Sequence, residues 1–263
     1  MIHLIKFAGL VNYNTEHGPY ALAPFGMRRQ IMMKTFLVTG ANRGLGLEFT
    51  RQLLKRGEKV LATARVPGKA NALKELKEKH QNLLEIYPLD ISDDAGIEKL
   101  AEELHFTSLD AIINNAGILL EDLGRDNGID PKMILETLNV NAVGPMRVVG
   151  ALLPMLLAGD NPVIANISSG LGSIGRAEGI TTPAYRISKA ALNMATKTLA
   201  ESLKHRRVTV VSLDPGWVAT DMGGPSAPLT PEESVNGMLK VIDGISCHDT
   251  GRFINRHGED VPW

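Results

Sequence analysis

Short apolar runs alternate with amphipathic segments along most of this 263-residue chain. Several runs are almost continuously apolar, which is typical of strands that are covered on both faces. Seven strands are predicted, at residues 36–39, 60–64, 84–89, 111–114, 163–167, 209–213 and, more weakly, 252–254. Helical spacing marks the stretches between them, among them 47–55, 95–104 and 183–203.

Two helix starts are marked by local chemistry. Asp130 precedes Pro131, and the sequence Thr230-Pro231-Glu232-Glu233 forms a capping box with proline at the first helical position. Alternating strands and helices predict a mostly parallel sheet with helices on both faces. We therefore expect one Rossmann-type, doubly wound α/β domain over residues 34–263.

Residues 1–33 stand outside this pattern, because they show no sustained hydrophobic period. Their apolar piece is too short for a secretory core. A loose N-terminal extension or leader is predicted, and a transit peptide is the alternative. Met32 and Met33 immediately precede the first strand.

Composition excludes several classes of protein. The chain is 44% hydrophobic and 22% charged, with a net charge of −1, which leaves no basic field for nucleic acid or an anionic membrane. No apolar run approaches the roughly 18 residues of a membrane span. One cysteine allows no intrachain disulfide, and no metal site is predicted. We expect a cytoplasmic protein.

The stretch TGANRGLG, residues 39–46, joins the first strand to the first helix. Gly40, Gly44 and Gly46 permit a tight turn, close approach of a pyrophosphate and close packing of helix on strand. The helix start supplies free N–H groups for the phosphate. This context, between a strand and a helix, indicates a nucleotide site.

The chain resembles the short-chain dehydrogenases/reductases. The resemblance begins with the spacing of the three glycines and continues in order through Asp90, Asn114-Asn115-Ala116-Gly117, Asn141, Ser169, Tyr185 with Lys189, and Asp214-Pro215-Gly216. The phrases ISSGLGSIG and AYRISKAAL are most similar to carbonyl-reductase and C-factor-like members. The resemblance implies a dinucleotide cofactor and a homodimer or homotetramer.

Tyr185 and Lys189 are four residues apart in a predicted helix, so both lie on one face. A nearby ammonium favours phenolate, and we expect it to lower the pKa of Tyr185. Tyr185 could then exchange a proton with a carbonyl or carbinol oxygen during hydride transfer.

Ser169 follows the fifth strand, where its hydroxyl could hydrogen-bond the substrate oxygen. Ser168 is chemically equivalent, but alternation along the strand turns the two side chains in opposite directions. The family pattern selects Ser169. The interval to Tyr185 is 185 − 169 = 16 residues, longer than usual in the family, which puts the substrate rather than the chemistry in question.

The family pattern assigns further roles. Asn141, rather than Asn139, would disturb its helix and hold a water that passes protons to Lys189. Asp90 would accept a hydrogen bond from adenine; a helix-capping or turn aspartate is the alternative. Asn115 would brace the sheet, and Thr220 would hold the nicotinamide carboxamide. The other cofactor-binding candidates are Asn42, Arg43, Leu45, Ile91, Ala116, Gly117, Pro215, Gly216 and Val218.

The residues at the end of the second strand distinguish an NAD site from an NADP site. An NAD enzyme places an acid there for the ribose 2′-hydroxyl, whereas this chain has Ala64 and then Arg65. Arg43 adds a second guanidinium group, and two such groups suit the NADP phosphate. The cofactor is therefore predicted to be NADP(H).

The sequence thus predicts an oxidoreductase that reduces a small ketone or aldehyde with NADPH. A C-factor-like signalling protein, in which nucleotide binding matters more than turnover, is the alternative. An extended-family sugar epimerase fits poorly, because no substantial substrate domain follows the sixth strand.

Overall fold

The computed structural model describes residues 33–104, 107–121, 129–178 and 181–263. Seven strands form one parallel sheet over this part of the chain. They are β1 Thr35–Val38, β2 Lys59–Ala64, β3 Leu84–Pro88, β4 Ala111–Asn114, β5 Val163–Ile167, β6 Thr209–Asp214 and β7 Phe253–Asn255. All seven predicted strands are confirmed.

The strand order in the sheet is β3-β2-β1-β4-β5-β6-β7. The direction of winding reverses between β1 and β4, which pair in parallel at Phe36–Val38 and Ala111–Ile113. In open parallel sheets, ligands bind at the carboxyl ends of the strands beside such a reversal. The structure thus confirms the predicted doubly wound fold and places the site at the ends of β1 and β4.

Seven α-helices are described: α1 Gly44–Lys55, α2 Asn71–Lys79, α3 Asp94–Leu104, α4 Pro131–Leu138, α5 Gly144–Leu157, α6 Pro183–Leu203 and α7 Pro231–Gly244. The Thr230 hydroxyl accepts the Glu233 N–H while the Glu233 carboxylate accepts the Thr230 N–H, which confirms the predicted capping box. Asp130 caps α4 by accepting from Lys132 N.

The sheet separates two apolar cores. Along β1, Phe36 and Val38 face α1 and α7, whereas Leu37 faces α3, α5 and α6. This alternation explains why β1 is apolar at every position, since each face needs its own buried side chains. Full burial of one such side chain stabilises the fold by about 1.5–3 kcal/mol.

Helices α4 and α5 are continuous through a π-helical turn at Asn139–Val143. By length and composition alone, the span Pro131–Leu157 could cross a membrane. Half of its most apolar window is buried inside the protein, however, and Val148, Val149 and Leu152 belong to the core beneath the sheet. In this fold it is a core helix.

Candidate active site

The turn between β1 and α1 needs glycine for specific steric reasons. Gly40 has a φ of +64°, and a Cβ there would lie 2.9 Å from the Cα of Ala116. A Cβ on Gly46 would lie 2.5 Å from Asn115 Nδ2 and would overlap the Gly40 carbonyl. Glycine therefore lets α1 approach both the end of β1 and the chain that follows β4.

The N-terminus of α1 is open to an anion. Arg43 at the N-cap makes no side-chain capping bond, and the first turn carries no acidic residue. Beside it, Gly44 has a φ of +54° and faces Thr220, whose Cγ2 would lie 3.5 Å from a Cβ. Asn42 is exposed and Leu45 is half-buried. Thr220 therefore lies next to Gly44, at the predicted phosphate site.

Residues 115–121, which follow β4, tie the turn to the rest of the site. Asn115 Nδ2 donates to the carbonyls of Thr39, at 2.9 Å, and Gly40, at 3.2 Å. The Thr39 hydroxyl accepts from the N–H groups of Asn115 and Ala116, both at 3.0 Å. These bonds join the ends of β1 and β4 at the reversal point.

Asn141 lies in the π-helical turn and is 1% exposed. Its amide oxygen accepts from Ile118 N and its amide nitrogen donates to Ile118 O, both at 2.8 Å. A Cβ on Gly117 would lie 3.2 Å from Asn141 Oδ1 and 3.8 Å from Lys189 Nζ. The helix is therefore disturbed where the family pattern implied, and Asn141 lies beside Gly117 and Lys189.

Asn139 has a different environment, because its side chain accepts from Arg147 Nη1 at 2.8 Å. Arg147 also forms an ion pair with Asp94 of α3. Asn139 thus belongs to the outer side of the turn and Asn141 to the inner side.

The two serines after β5 diverge. Ser168 is 2% exposed and donates to Asn193 Oδ1 at 2.7 Å, inside the protein. Ser169 is half-buried, accepts from Leu171 N at 3.1 Å and lies close enough to the Tyr185 phenol to influence its pKa. Only Ser169 shares the site with Tyr185.

Tyr185 and Lys189 lie on one face of α6 and are both buried. Lys189 Nζ is 5.5 Å from the centre of the Tyr185 ring and donates to Ile167 O at 2.8 Å. Burial lowers the pKa of Lys189 to about 8.

The expected lowering of the Tyr185 pKa is wrong for the protein alone. Burial raises the pKa of Tyr185 to about 12, the nearby Ser169 hydroxyl opposes this shift, and the negative charge of Asp214 adds to it. Desolvation of the phenolate outweighs a lysine whose ammonium is directed at a carbonyl. Tyr185 is thus a protonated phenol at neutral pH.

Asp90 and Arg65 line one cavity of about 280 Å³ beside the end of β3. Asp90 accepts from Ser92 N at 2.9 Å and Ser92 Oγ at 2.6 Å, and these bonds, with the nearby Arg65 charge, lower the pKa of Asp90. Asp90 therefore forms the turn that the sequence allowed as an alternative. The Ile91 side chain is buried against Gly144.

Arg43 forms an exposed ion pair with Asp221 at 2.8 Å. An exposed pair of this kind contributes little free energy, so Arg43 can exchange partners readily. Asp221 was not predicted, and its position next to Thr220 joins the glycine turn to the chain that follows β6.

That chain begins with a fixed turn. Pro215 O accepts from Ser234 Oγ at 2.8 Å, and Gly216 has a φ of +77° and donates to Asp214 Oδ1 at 3.1 Å. Val218 is buried and forms a bridge with Leu229, while Thr220 Oγ1 accepts from Gly223 N.

Besides Asp221, sequence reasoning missed two contributors. Ser188 Oγ accepts from Asn141 Nδ2 at 3.0 Å and donates to Tyr185 O at 2.7 Å. Glu121 is buried, and its carboxylate accepts the N–H groups of Ala184 and Tyr185. No local pattern marks Glu121, because its partners lie more than 60 residues away.

A glycine-rich turn at the reversal point of a parallel sheet, next to a buried phenol and ammonium, is typical of nucleotide-dependent oxidoreductases. The sequence matches the short chain dehydrogenase family over residues 34–228. The chain therefore belongs to that family, as the resemblance predicted.

Relatives of known structure include carbonyl reductases. Carbonyl reductase Sniffer of D. melanogaster superposes with a TM-score of 0.83 at 34% identity, covering 88% of this chain and 100% of that one. The NADPH-bound carbonyl reductase from chicken fatty liver superposes with a TM-score of 0.81 at 37% identity, covering 88% and 99%.

A bacterial protein is also similar. C-signal of Myxococcus xanthus is 43% identical over 157 residues, which cover 59% of this chain and 93% of that protein. The predicted likeness to both carbonyl-reductase and C-factor-like members is confirmed.

Proposed function

We propose that this protein is an NADPH-dependent carbonyl reductase that reduces a ketone or aldehyde and catalyses the reverse oxidation of the alcohol. The observation that carries this proposal is the pair of buried side chains Tyr185 and Lys189 on one face of α6, with the Ser169 hydroxyl near the phenol. A protonated, desolvated phenol beside a hydroxyl donor suits the protonation of a carbonyl oxygen.

The residues at the reversal point fit a dinucleotide. The open start of α1 and the space beside Gly44 suit a pyrophosphate. Gly117 leaves room near Lys189, which we assign to the ribose, and Thr220 to the carboxamide. When bound, NADPH supplies the hydride.

NADP is favoured over NAD by charge. Ala64 offers no acceptor for a ribose hydroxyl, while Arg65 and Arg43 offer guanidinium groups for a phosphate. To bind the 2′-phosphate, Arg43 would exchange its ion pair with Asp221 for one with the phosphate. The NADPH found in the chicken carbonyl reductase supports this assignment.

Side chains of the protein then transfer the proton. The Tyr185 hydroxyl donates to the carbonyl oxygen, and Ser169 donates a second hydrogen bond that stabilises the developing negative charge. We assign to Asn141 and Lys189 the water-mediated return of the proton to Tyr185, since both lie next to Gly117.

The substrate is proposed to be apolar and the pocket open. Leu120, Ile174, Trp217 and Met222 are large, exposed apolar side chains on the segments that follow β4, β5 and β6. Residues 222–229, the connection before α7, are too short for a substantial lid. We therefore expect acceptance of many carbonyl compounds.

The similarity to C-signal favours a second candidate, a nucleotide-binding signalling protein. Such a protein has no need of the Ser169, Tyr185 and Lys189 arrangement, which is intact here. Turnover is therefore the better-supported function.

The test is NADPH consumption with a panel of quinones, diketones, aldehydes and steroids, by the wild type and Tyr185→Phe. Removal of the general acid should reduce turnover by about a hundredfold or more, while NADPH binding stays the same. Near-normal turnover by Tyr185→Phe, or no consumption by the wild type with any compound, would refute the proposal.

A further inference from the structure

The start of α6 lacks an ordinary cap. An N-cap residue normally has an extended backbone, and its side chain accepts from the second or third helical N–H group. Thr182 instead has a left-handed conformation, with a φ of 53° and a ψ of 51°, and makes no side-chain capping bond. This conformation is unfavourable for a β-branched residue.

Glu121 supplies the missing acceptor from another part of the chain. Its Oε1 accepts from Ala184 N at 2.7 Å and its Oε2 accepts from Tyr185 N at 2.9 Å. These are the second and third helical N–H groups, and Pro183 at the first position has none. Both oxygens of one carboxylate thus replace the local cap.

The environment makes this contact strong. Glu121 is only 6% exposed. Hydrogen bonds from backbone N–H groups to a carboxylate are charge-assisted, and the positive end of the helix dipole adds to them. A buried carboxylate that lost these donors would be destabilised, so the contact constrains both partners.

Glu121 binds the backbone N–H of Tyr185, whose side chain is the proposed proton donor. Residues 115–121 also hold the glycine turn through Asn115 and Asn141 through Ile118. One seven-residue segment therefore fixes the spacing of the nucleotide turn, the π-helical turn and Tyr185.

We propose that Glu121 is a positioning residue, which caps α6 in place of Thr182 and so holds Tyr185 in register with Ser169 and the carbonyl oxygen. This inference rests on the proposed carbonyl reduction. It does not require Glu121 to touch the substrate.

The variant Glu121→Gln tests it, because an amide keeps the volume but has one acceptor oxygen and turns its N–H₂ group towards a backbone donor. We expect kcat to fall by about tenfold or more, since small displacements of a reacting group have large effects on rate. The Kd for NADPH should change far less than kcat, because Glu121 makes no bond to the glycine turn and Lys189, assigned to the ribose, is held separately by Ile167 O.

Glu201→Gln is the matched control, with the same chemical change at an exposed position near the end of α6, and its kcat should equal that of the wild type. A Glu121→Gln protein with wild-type kcat would overturn the inference, as would equal losses of kcat and of NADPH affinity.

Amide hydrogen exchange in the unmodified protein gives a second, independent test. The amide protons of Ala184 and Tyr185 should be protected from exchange, although neither has an acceptor within α6. Exchange as fast as in an unstructured peptide would overturn the capping role, even if the variant does not fold. Protection without carbonyl turnover would instead refute the proposed function and leave the cap in place.

Discussion

At the scale of single residues, the protonation state of Tyr185 should govern the pH dependence of the proposed reaction in each direction. Its pKa is raised from 10.0 to about 12, mainly by burial. The phenol can therefore donate a proton to a carbonyl throughout the neutral range, whereas alcohol oxidation needs the scarce phenolate.

We predict opposite pH dependences for the two directions. The rate of reduction should stay constant near neutral pH and fall as the phenol ionises. Oxidation should rise with pH, by up to about tenfold per unit while the phenolate is the minor form. Measurement of kcat in both directions checks this, and a rate of oxidation that does not depend on pH would contradict it. Tyr185→Phe should lose both dependences.

Sequence reasoning could choose between neighbouring residues where alternation or a family pattern separates them. Ser169 rather than Ser168 and Asn141 rather than Asn139 lie on the side of Tyr185 and Lys189. Sequence reasoning could not predict the sign of the Tyr185 pKa shift, because the sign depends on burial and on the direction of the Lys189 ammonium group. The roles of these residues towards a cofactor stay predictions.

At the scale of elements, the sequence predicted the strands to within about one residue, since each is a short apolar run between turn residues. Helix α1 begins at Gly44 rather than at residue 47, because its first turn contains Gly44 and Gly46, the glycines that interrupt the apolar pattern. Glu121 was missed, since a cap from a distant loop leaves no local pattern.

The packing of α1 gives an element-scale prediction. Gly46→Ala would place a methyl group against the Gly40 carbonyl and Asn115, neither of which can move freely. We expect a loss of about 1–3 kcal/mol in the free energy of unfolding and weakened NADPH binding. Chemical denaturation and cofactor titration measure these effects.

Gly150→Ala is the matched control for this change. Gly150 is exposed within α5, and its added Cβ would meet nothing within 4 Å. It should stabilise the protein by about 0.5–1 kcal/mol and leave NADPH binding unchanged. Equal effects of the two alanines would show that packing at Gly46 is not the cause.

At the scale of the whole molecule, the fold places Arg43 and Arg65, the residues proposed to select NADP, after β1 and β2, far along the chain from Tyr185. Ala64 is 2% exposed, so an acid there would be partly buried, whereas Arg65 is exposed at the rim of the cavity. Arg65 is therefore the better position for a test. The homo-oligomer, the cytoplasmic localisation and the division of the chain at residue 33 stay predictions.

We predict that Arg65→Ala weakens NADPH binding by about ten- to a hundredfold, because a charge-assisted hydrogen bond contributes roughly 1.5–3 kcal/mol. NADH binding should change little, since NADH has no 2′-phosphate. Arg206→Ala, a loss of the same charge at an exposed position after α6, is the control. Fluorescence titration measures the Kd of each cofactor for each protein. An Arg65→Ala protein with unchanged NADPH affinity would refute the role of Arg65.

The most direct measurement is the initial rate of carbonyl reduction by the wild-type protein, with NADPH and NADH supplied in parallel to the same substrate panel. At least one ketone or aldehyde should be reduced, with a kcat/KM for NADPH about ten- to a hundredfold above that for NADH, the difference expected for one phosphate contact. Equal use of the two cofactors, or no reduction with either, would contradict the assignment of this protein as an NADPH-dependent carbonyl reductase.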